Sequence, residues 1–182
     1  MILRYYQENG IRDCSYEFQK GYNSIVYQLP TGGGKTVIFT EISYRFIQKN
    51  TSSVVIVVHR AELLRQTRKK LFEEYDIVAC EIKAGMKHVP EARVYVCMVE
   101  SLTKRLSKLS NVGLLILDEC HIASHNKIID RLNAPMVLGF SATPISSNKK
   151  EPLKKRYQSI VLGPQISELI KGGQLCQNMT WA

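Results

Sequence analysis

Residues 29–36 read Leu-Pro-Thr-Gly-Gly-Gly-Lys-Thr, a combination suited to gripping a polyphosphate. Gly32, Gly33 and Gly34 open backbone conformations closed to residues with a Cβ, so successive N–H groups can converge on anionic oxygens. Lys35 can then reach the β- and γ-phosphates, and Thr36 can set its hydroxyl on Mg²⁺. The helix that follows turns its positive end toward the anion. Thr31, Gly32, Gly33, Gly34, Lys35 and Thr36 are therefore candidate nucleotide-binding residues. One position departs from the general G-x-x-x-x-G-K-[ST] pattern, which would place glycine where this chain has Leu29. The context supports the motif, because an apolar run over 25–29 precedes it and a helical pattern over 37–48 follows.

A phosphate loop alone says that a nucleotide binds. Asp118 and Glu119 say what can be done with it. They close a buried apolar run over 113–117, 83 residues beyond Lys35. In P-loop folds a carboxylate at such a strand end holds Mg²⁺, and Glu119 is placed to orient or deprotonate an attacking water. A capped turn is the plain alternative for two adjacent acids. Cys120, His121 and His125 lie beside them, but the spacing lacks the further ligands that a zinc site needs. His121 is expected to be a polar link from the hydrolytic site to Ser141 or Thr143, and otherwise a satisfied interior histidine.

Positioning these groups calls for alternating strands and helices. Strands are expected over 25–29, 54–58, 77–82, 93–99, 113–117 and 136–140, with a short one over 160–162. Helices are expected over 1–18, 37–48, 61–75, 101–110 and 164–171, the last stopped by Gly172 and Gly173. The β-branched run over 54–58 suits a strand buried on both faces. The pattern predicts an α/β, doubly wound, mainly parallel sheet with helices on both faces. In the helix over 61–75, Leu63, Leu64, Leu71 and Phe72 should face inward, with Arg65, Arg68, Lys69 and Lys70 on a basic face. Near the N-terminus Arg4 and Gln7 share a helix face and could read an adenine edge, although exposed polar residues are ordinary there; Tyr5 or Tyr6 could pack. The stretch over 146–156 is polar and basic.

The chain has 182 residues, 45% hydrophobic, enough for one ordinary domain and cramped for two. Nothing in it reads as a membrane span or a secretory leader, so an intracellular, cytoplasmic protein is expected. Five cysteines without a C-x-x-C pair point to reduced thiols. The net charge of +9 favours polyanionic partners, without distinguishing DNA from RNA.

The succession of Gly-Gly-Gly-Lys-Thr, Val-Val-His-Arg-Ala-Glu-Leu-Leu-Arg-Gln at 57–66, Ser101-Leu102, Asp-Glu-Cys-His and Ser-Ala-Thr-Pro resembles superfamily 2 helicases of the DEAD/DEAH group. It is most similar to the branch with type III restriction motors and XPB-like and RadD-like DNA helicases. The resemblance implies a RecA-like P-loop NTPase using ATP and Mg²⁺, and a branch that does not keep the glycine at position 29. It implies adenine recognition by Arg4 and Gln7, and a nucleic-acid track touched by Arg60, Gln66 and Ser101. Glu100 stands where relatives often carry Gln. Ser141 and Thr143 match the motif that couples hydrolysis to strand movement, and Asp118, Glu119 and His121 match the acidic motif. The resemblance further implies a helicase ATP-binding domain over 1–162 and the start of a connector over 163–182, leading to a second RecA-like domain that supplies arginine fingers. The expected partner is nucleic acid, DNA before RNA, and activity of this half alone should be weak. A duplex translocase and a non-hydrolysing binding module stay open. A small-molecule kinase would explain neither the Asp-Glu-Cys-His nor the Ser-Ala-Thr-Pro stretch.

Overall fold

The computed structural model describes residues 2–145 and 152–176. Short, mostly apolar runs build a seven-stranded sheet in which every neighbouring pair is parallel. In chain order the elements are α1 (Tyr5–Gln19), β1 (Ser24–Gln28), α2 (Lys35–Lys49), β2 (Ser53–Val58), α3 (Ala61–Tyr75), β3 (Cys80–Ile82), β4 (Val94–Met98), α4 (Val99–Thr103), β5 (Val112–Leu117), α5 (Asn126–Leu132), β6 (Met136–Ser141), β7 (Ser159–Leu162) and α6 (Ile166–Lys171). The strand order is β3-β4-β2-β5-β6-β1-β7.

The run at β2 is buried throughout because a strand sends successive side chains to opposite faces, and here both faces are covered. Val54, Ile56 and Val58 join Leu114 and Ile116 in a core roofed by α1, α2 and α3. Val55 and Val57 join Leu115 and Leu117 in a second core with Leu102 of α4 and Ile128 of α5. The doubly wound arrangement follows from that division.

Several element boundaries differ from expectation. Helix α1 begins at Tyr5, because the Arg4 backbone N–H is taken by Gln7 Oε1 at 2.9 Å. The strand over 77–82 shrinks to Cys80–Ile82: Asp76 turns left-handed, and the Ile77 N–H closes α3 by bonding Leu71 O at 3.0 Å. The helix over 101–110 is instead α4 followed by a 3₁₀ turn at Leu106–Lys108. There the Arg105 guanidinium donates to Met86 O and Ser101 O. Helix α2 starts earlier, at Lys35, directly on the loop. Helix α6 starts later, at Ile166, where Glu168 Oε2 accepts the Gln165 N–H at 2.7 Å. Phe72 is not inward. It is 56% exposed, since the buried stripe of α3 runs through Leu64, Thr67 and Leu71. Arg68 is drawn from the basic face by Glu81, 2.8 Å away. Of the basic stretch over 146–156, positions 146–151 lie outside the described residues, as do 177–182 of the proposed connector.

Candidate active site

The carboxyl ends of parallel strands gather the chemistry, as in other open α/β sheets. The phosphate loop joins β1 to α2. Leu29 gives its N–H to Ser141 O at 3.0 Å and buries its side chain completely. It packs beneath the loop, where a Cβ on Gly33 would fall 2.9 Å from Leu29 Cγ, so this position supports the turn by packing. Gly32 and Gly34 take φ values of 81° and 85°, the left-handed region. At Gly34 the requirement is double, because a Cβ there would lie 2.5 Å from Gln7 Nε2.

The first turn of α1 is bound to this loop. Tyr6 donates its hydroxyl to Gly33 O at 2.9 Å and receives Arg4 Nη1 at 3.3 Å. Gln7 is buried against Gly34, while Arg4 is exposed. Leu175 reaches back over the loop, close enough that a Cβ on Gly32 would fall 2.7 Å from it.

Lys35 opens α2, and its Nζ meets Glu119 Oε1 at 3.0 Å with both side chains largely shielded. Glu119 holds a φ of 49°, unusual for a residue with a long side chain. Its other oxygen lies 3.4 Å from His121 Nδ1, which in turn is 2.9 Å from Ser141 Oγ. Ser141 Oγ also accepts the Thr143 N–H at 3.1 Å. A continuous polar path thus runs from the loop lysine to the strand end carrying Ser141 and Thr143.

Asp118 is 2% exposed, tied by its N–H to Val57 O at 2.9 Å and by its carboxylate to His59 Nδ1 at 2.9 Å. Burial, and then the neighbouring Glu119 charge, push its carboxyl above the ordinary carboxylate value; Lys35 and His59 oppose the shift. A cleft of about 500 Å³ brings together Thr31, Gly32, Gly34, Lys35, Thr36, Asp118 and Glu119, with Arg60 and Gln66 on its α3 side. Gln66 Nε2 bonds Glu62 Oε1 at 3.2 Å. Ser101 sits half-buried in α4 and does not line this cleft. No site role was assigned from the sequence to Tyr6, His59 or Leu175. His59 stood within the motif over 57–66, a polar residue at a buried strand's carboxyl end, and Tyr6 was expected only to pack.

The family described as "Type III restriction enzyme, res subunit" matches residues 1–146. The chain is 32% identical to IRC3 of Saccharomyces cerevisiae over 97% of its own length and 28% of that protein. It is 24% identical to the EcoAI type I restriction endonuclease subunit of Escherichia coli, over 78% of its length and 19% of that subunit. Among solved structures it is similar to bacteriophage T4 UvsW (TM-score 0.72, 18% identity, 89% of this chain and 34% of that one). It is also similar to the Hef helicase domain of Pyrococcus furiosus (TM-score 0.73, 21% identity, 88% and 37%). The chain spans about a third or less of the length of these relatives. The solved structures share its fold, and the match over 1–146 settles the lineage: this chain belongs to the type III restriction enzyme res-subunit family, with the N-terminal RecA-like fold of superfamily 2 helicases.

Proposed function

We propose that this chain is the ATP-binding half of a nucleic-acid-dependent motor that hydrolyses ATP to unwind DNA. The observation that carries the reading is the meeting of Lys35, Asp118 and Glu119 beneath a loop whose left-handed Gly34 leaves its backbone open to an anion. The donor set suits a hard cation, since Thr36 offers a hydroxyl and Asp118 a carboxylate, and Mg²⁺ commonly takes one or two carboxylates beside substrate phosphates. When bound, Mg²⁺ would neutralise charge on the β- and γ-phosphate oxygens.

The residues of the chain do the rest. The loop N–H groups and Lys35 hold the triphosphate, and Lys35 exchanges Glu119 for the γ-phosphate as ATP arrives. Glu119, released, orients a water for in-line attack and takes its proton. His121 carries the change in Glu119 to Ser141 and Thr143. Arg4 and Gln7 favour adenine, and Arg60, Gln66 and Ser101 meet the nucleic-acid backbone. The ATP-binding domain covers 1–162, and the segment from 163 onward begins a connector to a second RecA-like domain that completes the cleft and supplies arginine fingers. The protein acts in the cytoplasm; its described helices include none long and apolar enough to cross a membrane, and its described cysteines are free thiols.

DNA is favoured over RNA by the relatives' own names, which include restriction endonuclease subunits and a Sulfolobus solfataricus SWI2/SNF2 ATPase core in complex with dsDNA. IRC3 is named a candidate ATP-dependent helicase. Those same restriction and SWI2/SNF2 names favour a second reading, translocation along duplex without strand separation. The test is ATP turnover with Mg²⁺ across single-stranded DNA, duplex DNA and RNA, followed by unwinding with the complete protein. Weak basal turnover, stimulated more by DNA than by RNA and dependent on Lys35, is expected. ATP binding indifferent to Lys35 would overturn the assignment. DNA-stimulated turnover without unwinding would give the translocase.

A further inference from the structure

Strand β2 ends beside β5, with Val57 in register with Leu117, so Asp118 stands beside the end of β2, one position short of His59. Asp118 is held to that neighbour twice, through its backbone N–H on Val57 O and through its Oδ2, 2.9 Å from His59 Nδ1. An ionised carboxylate only accepts hydrogen bonds, so against ionised Asp118 the ring carries its proton on Nδ1. That bond uses one carboxylate oxygen and leaves Oδ1 for another purpose. His59 is covalently joined to Arg60, which is exposed, caps α3 and lines the same cleft.

We infer that His59 is a positioning residue. It fixes the Asp118 carboxylate so that Oδ1 faces the cation site, and it relays displacement of Arg60 by a bound polyanion to that carboxylate. The inference rests on the Mg-ATP reading above. Partners that orient a metal ligand from behind are commonly worth about 10–100-fold in metal affinity, which sets the size of effect to look for. The relay is short, one peptide bond and one hydrogen bond, so polyanion contact at Arg60 and cation affinity at Asp118 must respond to one another.

The test uses this chain with a fluorescent, non-hydrolysable ATP analogue titrated at graded Mg²⁺. An asparagine amide can set an N–H near the place of Nδ1, whereas glutamine extends past it. His59→Asn should therefore keep the Mg²⁺ midpoint within about threefold of the unsubstituted chain, while His59→Gln and His59→Ala raise it about tenfold or more. Adding duplex DNA should shift the midpoint in the unsubstituted chain and in His59→Asn but not in His59→Ala. Equal midpoints in all three variants, whether unchanged or raised together, would overturn the inference. A second readout needs no variant: ¹⁵N shifts of the metal-free chain should report His59 protonated at Nδ1, and an Nε2–H form would overturn the assigned bond. Failure of the site itself would look different, since the unsubstituted chain would then bind the analogue no better than Lys35→Ala at any Mg²⁺ concentration.

Discussion

Lys35 Nζ and Glu119 Oε1 are 3.0 Å apart, so the lysine that would bind phosphate is held by the acid that would activate water. The pair closes the site on itself and gives two substitutions opposite signatures. Lys35→Ala removes the phosphate contact and a cation that favours ionised Asp118, whose burial already disfavours its charge. Hydrogen bonds to charged groups are worth about 1.5–3 kcal/mol, so ATP affinity should fall by roughly 10–100-fold in a titration of the metal-bound nucleotide. Glu119→Gln keeps shape and hydrogen-bonding capacity but loses the base. Binding should persist while turnover drops by about 10²–10⁴, the usual worth of a positioned proton acceptor. Turnover near the unsubstituted rate would remove Glu119 from that role.

The path His121–Ser141–Thr143 predicts coupling rather than chemistry. His121→Ala and Ser141→Ala each cut the same bond of 2.9 Å, so each should lower the ratio of DNA-stimulated to basal turnover. The double variant should be little worse than either single one, a coupling within the range of about 0.5–3 kcal/mol seen for contacting residues. Strictly additive losses would mean that the two side chains act separately.

Gly34 and Gly85 offer a matched pair. Both take left-handed backbone, with φ of 85° and 82°, but a Cβ at Gly34 would meet Gln7 Nε2 while one at Gly85 meets open space. Each alanine should cost about 1–2 kcal/mol for the backbone. Only Gly34→Ala should also weaken ATP binding, by pushing Gln7 and the loop apart. Thermal melts and nucleotide titrations on both variants separate the two effects, and equal losses of affinity would show that the contact is unimportant.

The sheet was legible because strand and helix periods announce themselves: the β-branched run at β2 and the apolar run at β5 needed no context to be read as buried. The acidic motif was legible for a similar reason, since Asp118 and Glu119 follow a strand with no residue between. Contacts between segments far apart in sequence were legible where recognised motifs held both partners, as for the expected link from His121 to Ser141, and not elsewhere. His59 lies 59 positions from Asp118, and nothing local says that β2 and β5 are neighbours. Tyr6 and Gly33 meet only because α1 crosses the end of β1. Phe72 was misread because it is the residue next to Leu71, and one step along a helix is a rotation of about 100°, enough to leave the core. The end of α3 misled for a different reason: Ile77 has strand chemistry, but its N–H is consumed by the helix cap.

Gly10 shows where helix propensity should lose to packing. In an exposed helix, Gly→Ala gains about 1 kcal/mol. Here Gly10 is buried where α1 crosses β1, and a Cβ would fall 2.2 Å from the Tyr27 hydroxyl oxygen and 2.5 Å from Tyr27 Cζ. Overpacking of this kind commonly costs about 1–3 kcal/mol, so Gly10→Ala should lower stability in a denaturant titration. Tyr27→Phe should be close to neutral alone, because that hydroxyl has no hydrogen-bond partner among the described residues, and it should rescue part of the loss in Gly10→Ala. A double variant as unstable as Gly10→Ala would place the clash elsewhere.

His125 carries a pH dependence whose sign can be worked out. Its ring is fully buried after the turn that follows β5, and neither nitrogen finds a hydrogen-bond partner among the described residues. Burial first, then His59 and His121, lower its pKa from 6.5 to about 4, against weaker opposition from Glu100 and a backbone contact at Glu119. Between those values the unfolded chain binds a proton that the folded chain refuses, so stability falls as pH drops through 6.5 toward 4 and gains nothing further from this group above that window. From pH 7 to pH 5 the loss attributable to His125 should be about 2 kcal/mol. His125→Leu, similar in bulk and without a titrating group, should lose correspondingly less over the same interval in urea titrations at the two pH values. Equal losses in both proteins would mean that the buried ring accepts its proton without unfolding, and that the interior around it yields enough to solvate the charge.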